Sequence, residues 1–143
     1  MSKQHDLGAV GEKIVANELG GSVEFAVDKY DSKKDFTVNG KTIEVKTQVP
    51  FISESAFSIC PGQLQKCRSV DELYFVAVPA KKSYKWEGWM FKVDPKTFTV
   101  RDTITRDGRT MLLIDIEQPA VSKVRKVTDV YIKSLIKFTT SKY

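Results

Sequence analysis

The sequence has little of what several functional classes require. It holds one histidine, His5, placed just before the first predicted helix, where it caps or faces solvent rather than catalyses. A histidine-based mechanism is therefore not expected. Cys60 and Cys67 are the only cysteines. Their spacing matches no zinc pattern, and two thiols make neither a disulfide framework nor a metal site. They read as reduced residues in or near a helix, as in an intracellular, cytoplasmic protein. No apolar run comes near the ~18 residues of a membrane span. The first residues, Met-Ser-Lys-Gln-His-Asp, lack the apolar stretch of a signal peptide. Repeats, low-complexity tracts and linkers are absent too. The 143 residues, 41% hydrophobic and 29% charged, therefore read as a single domain over 1–143 with room for a real core.

What is present begins with charge. The net charge is +5, and its position matters more than its size. Within residues 121–143, Lys123, Arg125, Lys126, Lys133, Lys137 and Lys142 face a single acid, Asp129, so the whole excess sits there. Such a segment suits contact with phosphates, although a solvated helix face with a basic tail has the same composition.

The most informative stretch is Asp35-Phe-Thr-Val-Asn-Gly-Lys-Thr-Ile-Glu-Val-Lys46. Asn39-Gly40 is a strong hairpin signal, and a two-residue turn fixes the register. Val38 should pair with Lys41, Thr37 with Thr42, Phe36 with Ile43 and Asp35 with Glu44. Alternation then puts Phe36, Val38, Ile43 and Val45 on one buried face. Asp35, Thr37, Thr42, Glu44 and Lys46 share the other. Like charges directly opposite destabilise a sheet, so two carboxylates ~5 Å apart need a reason. A hard divalent cation between them, Mg²⁺ or Mn²⁺, is one. Lys46 lies beside them, and two acids with a lysine are the parts needed to activate water against a phosphodiester. Glu-Val-Lys alone would be an incidental charge cluster on a polar face; the in-register second acid is what favours the catalytic reading.

With this arrangement the chain resembles the PD-(D/E)XK nucleases. Their core has a helix carrying a glutamate, a strand with an aspartate, and a strand ending in Glu-x-Lys. Asp35 matches the aspartate and Glu44-Val45-Lys46 the Glu-x-Lys, while Lys34 stands where the family pattern has proline. Gly8-Ala-Val-Gly-Glu12-Lys-Ile-Val-Ala-Asn-Glu-Leu19 is similar to the first helix, with Glu12 as the helical acid. Glu18 competes for that role, since helical spacing puts it nearer the middle of the apolar arc. Lys46-Thr47-Gln48 is also family-like. The resemblance covers roughly residues 6–78. It implies an α/β fold with a restriction-endonuclease-like core, a central mixed β-sheet flanked by helices, followed by C-terminal strands and a basic helix over 79–143. A Holliday-junction-resolvase-like or homing-endonuclease-like member is one expectation, with restriction-type and repair nucleases also open; the small size leaves little room for an elaborate recognition domain, which favours a homodimer whose two sites cut two strands.

The resemblance also implies roles. Asp35, Glu44 and the Val45 carbonyl would hold Mg²⁺, with Glu12 a direct or water-mediated ligand. Lys46 would orient water or stabilise the transition state, and Gln48 would position water or a phosphate. The substrate expected is DNA, with a 5′-phosphate product. Nucleic-acid contacts are expected from Lys33 and Lys34, from Lys81, Lys82 and Tyr84 in a loop mixing basic and aromatic residues, and from Lys133 and Lys137. The alternative is a silent nucleic-acid-binding module on the same fold, for which an Asp35–Glu44 pair would have no use.

The coarse element reading follows. A helix is expected from about Asp6, as N-cap, to Leu19, stopped by Gly20-Gly21. Leu7, Val10, Ile14, Val15 and Leu19 form its apolar arc, and Gly8 and Gly11 allow close approach to the sheet. Residues 22–27 read as a strand, and Pro61–Arg68 as a short helix with proline in its first turn. Leu73–Val78 reads as a strand buried on both faces, and the crossover predicts that it lies parallel to the Glu-x-Lys strand. Further strands are expected at Trp86–Val93, Thr97–Val100 and Thr110–Ile116, with turns at Asp94-Pro95 and Asp107-Gly108. Trp89 reads as core. A last helix is expected at about Thr128–Phe138.

Overall fold

The computed structural model describes residues 3–20, 23–25, 36–48, 56–77 and 88–128. Its centre is the Asn39-Gly40 hairpin. Strand β2 (Phe36–Val38) turns into β3 (Lys41–Gln48) through two residues with positive φ, 51° at Asn39 and 83° at Gly40. This is the turn whose twist matches paired strands, and it requires residues that tolerate left-handed backbone. The register is Phe36↔Ile43, Thr37↔Thr42 and Val38↔Lys41, as the turn length dictates.

Around this hairpin lies a six-stranded mixed sheet. Strand β1 (Val23–Phe25) pairs antiparallel with β2. On the other side of β3, β5 (Glu72–Ala77) runs parallel to it, with Glu44 beside Leu73 and Lys46 beside Phe75. Strands β6 (Gly88–Val93) and β9 (Val121–Val127) extend the sheet antiparallel, with a bulge at Met90/Phe91. The order is β1-β2-β3-β5-β6-β9. The parallel β3–β5 step and the double-sided burial of β5 agree with the sequence reading.

Two hydrophobic layers form on the two faces. Helix α1 (Lys3–Leu19) covers one. Ile14 and Val15 pack there against Phe36, Val38, Ile43, Val45, Tyr74, Val76 and Met90. The helix begins a turn earlier than expected, so Asp6 lies inside it rather than at its N-cap. It stops at Gly20, whose φ is +62° and whose N–H donates to the Ala16 carbonyl at 3.1 Å, a left-handed C-terminal cap.

The opposite face carries a feature the sequence reading missed, a second sheet. Strands β4 (Ala56–Ile59), β7 (Arg101–Ile104) and β8 (Thr110–Asp115) form an antiparallel sheet in the order β4-β8-β7. Phe57 fixes it to the central sheet, with ring centroids 4.7 Å from Phe75 and 5.7 Å from Phe91. Burying one such side chain contributes about 1.5–3 kcal/mol. A 3₁₀ turn (Pro61–Gln63) leads into α2 (Leu64–Ser69), which lies on the same face and buries Cys67.

Three further differences have local causes. The expected strand Thr97–Val100 is a turn and extended coil, and the strand starts at Arg101. Gln118 supplies the bonds a neighbouring strand would give: its Oε1 accepts from the Thr99 N–H at 2.7 Å, and its Nε2 donates to the Thr99 carbonyl at 3.1 Å. Phe98 meanwhile plugs the core beneath the Arg68 guanidinium, 4.2 Å from its ring centre. Strand β9 was not foreseen, because its valines fall every third residue and its Lys and Arg side chains are mostly exposed. The helix expected at 128–138 lies outside the described residues. No helix among those described is long and apolar enough to cross a membrane.

Candidate active site

Alternation along β3 sorts its side chains. Ile43, Val45 and Thr47 face α1, whereas Glu44, Lys46 and Gln48 face α2 and the second sheet. Glu44 is fully buried, the only charged side chain so placed among the described residues. Removing a carboxylate from water costs several kcal/mol even after relaxation, so its counter-charges decide whether the strand can hold it.

Two ammonium groups address the same oxygen. Lys66 of α2 lies 2.9 Å from Glu44 Oε2, and Lys46 lies 3.9 Å from it. Lys46 donates a hydrogen bond to Gln63 Oε1 in the 3₁₀ turn. Both lysines keep under a fifth of their side-chain surface exposed. Crossing between β3 and β5, the segment Pro61–Ser69 thus closes over the site with one charged and one neutral polar contact.

Lys66 and Gln63 were not singled out in the sequence. The available signal was their spacing: three apart, Gln63 ending the 3₁₀ turn and Lys66 in α2, beside the inward-facing Leu64 and Cys67. Any charge buried on β3 must be met by the element that crosses it, and α2 is that element.

The other expected site residues fall as follows. Gln48 uses its carboxamide to brace β4: Nε2 donates to the Ser58 carbonyl, and Oε1 accepts from the Ser58 N–H at 3.2 Å. Val45 turns its side chain into the α1-facing core. Glu12 is half-buried on α1 and follows Gly11, which packs directly on Thr47. The helix therefore approaches β3 from the face opposite Glu44, and a ligand from α1 must reach round the end of the strand. Glu18, its competitor, is held by Arg125 of β9 at 3.1 Å. Trp89 is partly buried against the core, with Lys123 Nζ 4.7 Å from its ring centre. Asp35 lies outside the described residues, as do Lys33, Lys34, Lys81, Lys82, Tyr84, Lys133 and Lys137.

Glu44 supplies hard oxygen donors in a protected position, and its present counter-ion is a lysine on a flexible stem. Those features fit a ligand for a divalent cation. Among the described residues no group of three or more His, Cys, Asp or Glu side chains is placed to hold a metal ion. No protein-family model matches the chain, and no curated protein matches it either.

Proposed function

We propose that the chain is a metal-dependent endonuclease that hydrolyses phosphodiester bonds in DNA, with β3 as its catalytic strand. The observation that carries this reading is Glu44: a fully buried carboxylate, one residue beyond the observed hairpin register, with two ammonium groups at its side. Continued by one step, that register would pair Glu44 with Asp35. Asp35 and Glu44 would then hold Mg²⁺ or Mn²⁺, with Glu12 and the Val45 carbonyl as further donors. Bound there, the cation would lower the pKa of a water and neutralise the scissile phosphate.

This chain's own residues would do the rest. Lys46 projects on the Glu44 side of β3, held by Gln63, and its compact charge would stabilise the negative charge that develops in the transition state. Gln48 would hold β4 of the second sheet against the end of β3, so that Lys46 stays aimed. Exposed basic side chains on β9, among them Lys123 and Lys126, would add phosphate contacts along the central sheet's edge. A homodimer would bring two such sites to two strands.

A second reading has an observation in its favour. Lys66 and Lys46 already balance Glu44 without any metal, as a silent nucleic-acid-binding module of this fold would require. Calorimetry with Mg²⁺ and Mn²⁺ on the wild type and on Asp35→Ala separates the two. The endonuclease reading expects binding that Asp35→Ala abolishes; equal affinity in both would sink the assignment of the site.

A further inference from the structure

Lys46 and Gln63 form a pair whose spare chemistry is all of one kind. The Lys46 ammonium donates to Gln63 Oε1. An ammonium has no acceptor, so the carboxamide must turn its oxygen toward Lys46 and its Nε2–H₂ group away. Glu44 Oε2 lies 3.9 Å from Lys46 Nζ, beyond hydrogen-bond length. Among the described residues, Lys46 therefore spends a single N–H donor, on Gln63, and Gln63 Nε2 spends none. Gln63 is exposed, and 18% of the Lys46 side chain reaches solvent. The backbone that carries Gln63 is set by Pro61 at the start of the 3₁₀ turn and by the Gln63 N–H, which donates to the Cys60 carbonyl at 2.9 Å. What this pair offers to solvent is a charged donor and a neutral donor side by side. A cation meets only repulsion there, whereas an oxyanion with two oxygens on one centre can engage both.

We propose that Gln63 is a substrate-contacting residue, whose Nε2–H₂ group holds a non-bridging oxygen of one phosphodiester of the DNA backbone beside Lys46. The proposal rests on the endonuclease reading above, which gives Lys46 the phosphate but Gln63 no contact with it. The carboxamide then has two tasks. Its oxygen aims the ammonium, and its nitrogen grips the bound substrate. Lys46, kept next to the gripped oxygen, meets the other one as negative charge builds up in the transition state. The crossover segment thereby becomes part of the DNA-contacting surface as well as a cover over β3. No cation takes part in this contact, so DNA should be held there without metal.

The test uses the full chain with fluorescein-labelled single-stranded, duplex and branched DNA, in chelator so that nothing is cut. Anisotropy titrations are run on the wild type, Gln63→Glu and Gln65→Glu. Gln63→Glu keeps an oxygen for Lys46, so a purely bracing role survives and its thermal midpoint should not fall. It replaces the donor with a carboxylate, so its affinity for DNA should drop about ten- to a hundredfold, the weight of a hydrogen bond to a charged group. Gln65→Glu carries the same change of charge at an exposed position two residues on, and should leave the affinity close to that of the wild type. In case Gln63→Glu does not fold, the side-chain amide signals of Gln63, assigned through bonds by NMR in the wild type, are followed instead. They should move on saturation with DNA. Equal affinities in Gln63→Glu and Gln65→Glu, or amide signals unmoved at saturation, overturn the contact and leave the endonuclease reading standing. Signals that move with sodium phosphate but not with DNA assign the pair to a free anion and overturn the contact as well. Failure of the wild type to bind any of these DNAs overturns the endonuclease reading, and the contact with it.

Discussion

Gly11→Ala tests how α1 is set against β3. A β-carbon at Gly11 would lie 1.7 Å from Thr47 Oγ1, 2.8 Å from its Cβ and 3.0 Å from its Cγ2. Rotating Thr47 about χ1 can turn its hydroxyl away, but the 2.8 Å contact with Cβ survives every rotamer. The helix must therefore back away from β3. Alanine in a helix interior is favoured over glycine by about 1 kcal/mol. Overpacking a filled interface costs about 1–3 kcal/mol, and a 2.8 Å contact with a Cβ that no rotamer moves places this case at the upper end. The net expectation is a loss of about 2 kcal/mol, or roughly 4–8 °C in Tm for a chain of this size. Urea and thermal unfolding followed by circular dichroism measure it. Adding Thr47→Ala removes Oγ1 and Cγ2, and should restore about half of the loss as a coupling energy. A Gly11→Ala protein as stable as the wild type would refute this packing, and with it the route by which Glu12 could approach the end of β3.

Other expectations follow from the same geometry. Lys46→Ala should lower cleavage about 10²–10³-fold, the cost of one lost transition-state charge contact, while metal and DNA binding persist in calorimetry and gel shift. Gln48→Ala should destabilise the fold by about 1–2 kcal/mol in urea, because its carboxamide serves the buried edge of β4. Thr47→Val should be neutral or slightly stabilising in the same assay, since Thr47 Oγ1 is buried without a hydrogen-bond partner. The Thr42 N–H and hydroxyl both donate to Asp71, holding its carboxyl below the usual aspartate range. Asp71 therefore contributes stability at neutral pH that is lost as pH falls below about 4 through its folded value, and Asp71→Asn should flatten that acid limb in pH-dependent unfolding.

The parts of the fold that were legible in the sequence are those set by local rules. Asn39-Gly40 dictated a turn type, the turn dictated the register, and alternation then put Phe36, Val38, Ile43 and Val45 in the core facing α1. Gly11 announced a close approach, and the continuous apolar run of β5 announced burial on both faces. The second sheet was illegible because β4 and β7 have four residues each and acquire meaning only when β8 joins them. Thr97–Val100 has strand-like composition, yet the Gln118 side chain satisfies its backbone, and no local pattern announces a partner nineteen residues away. The candidate site divides similarly. Glu44 and Lys46 follow from strand parity, whereas Lys66 meets Glu44 only because the crossover lays α2 over β3.

The central claim is catalytic, and cleavage tests it most directly. The wild type is incubated with labelled duplex, branched and single-stranded DNA, with Mg²⁺ and with chelator in its place, and Lys46→Ala serves as the control for contaminating nuclease. The account predicts Mg²⁺-dependent phosphodiester cleavage of at least one substrate, abolished by the chelator and lost in a folded Lys46→Ala protein. Cleavage that proceeds equally in Lys46→Ala, or no cleavage of any substrate by wild-type protein that binds these DNAs, would contradict it.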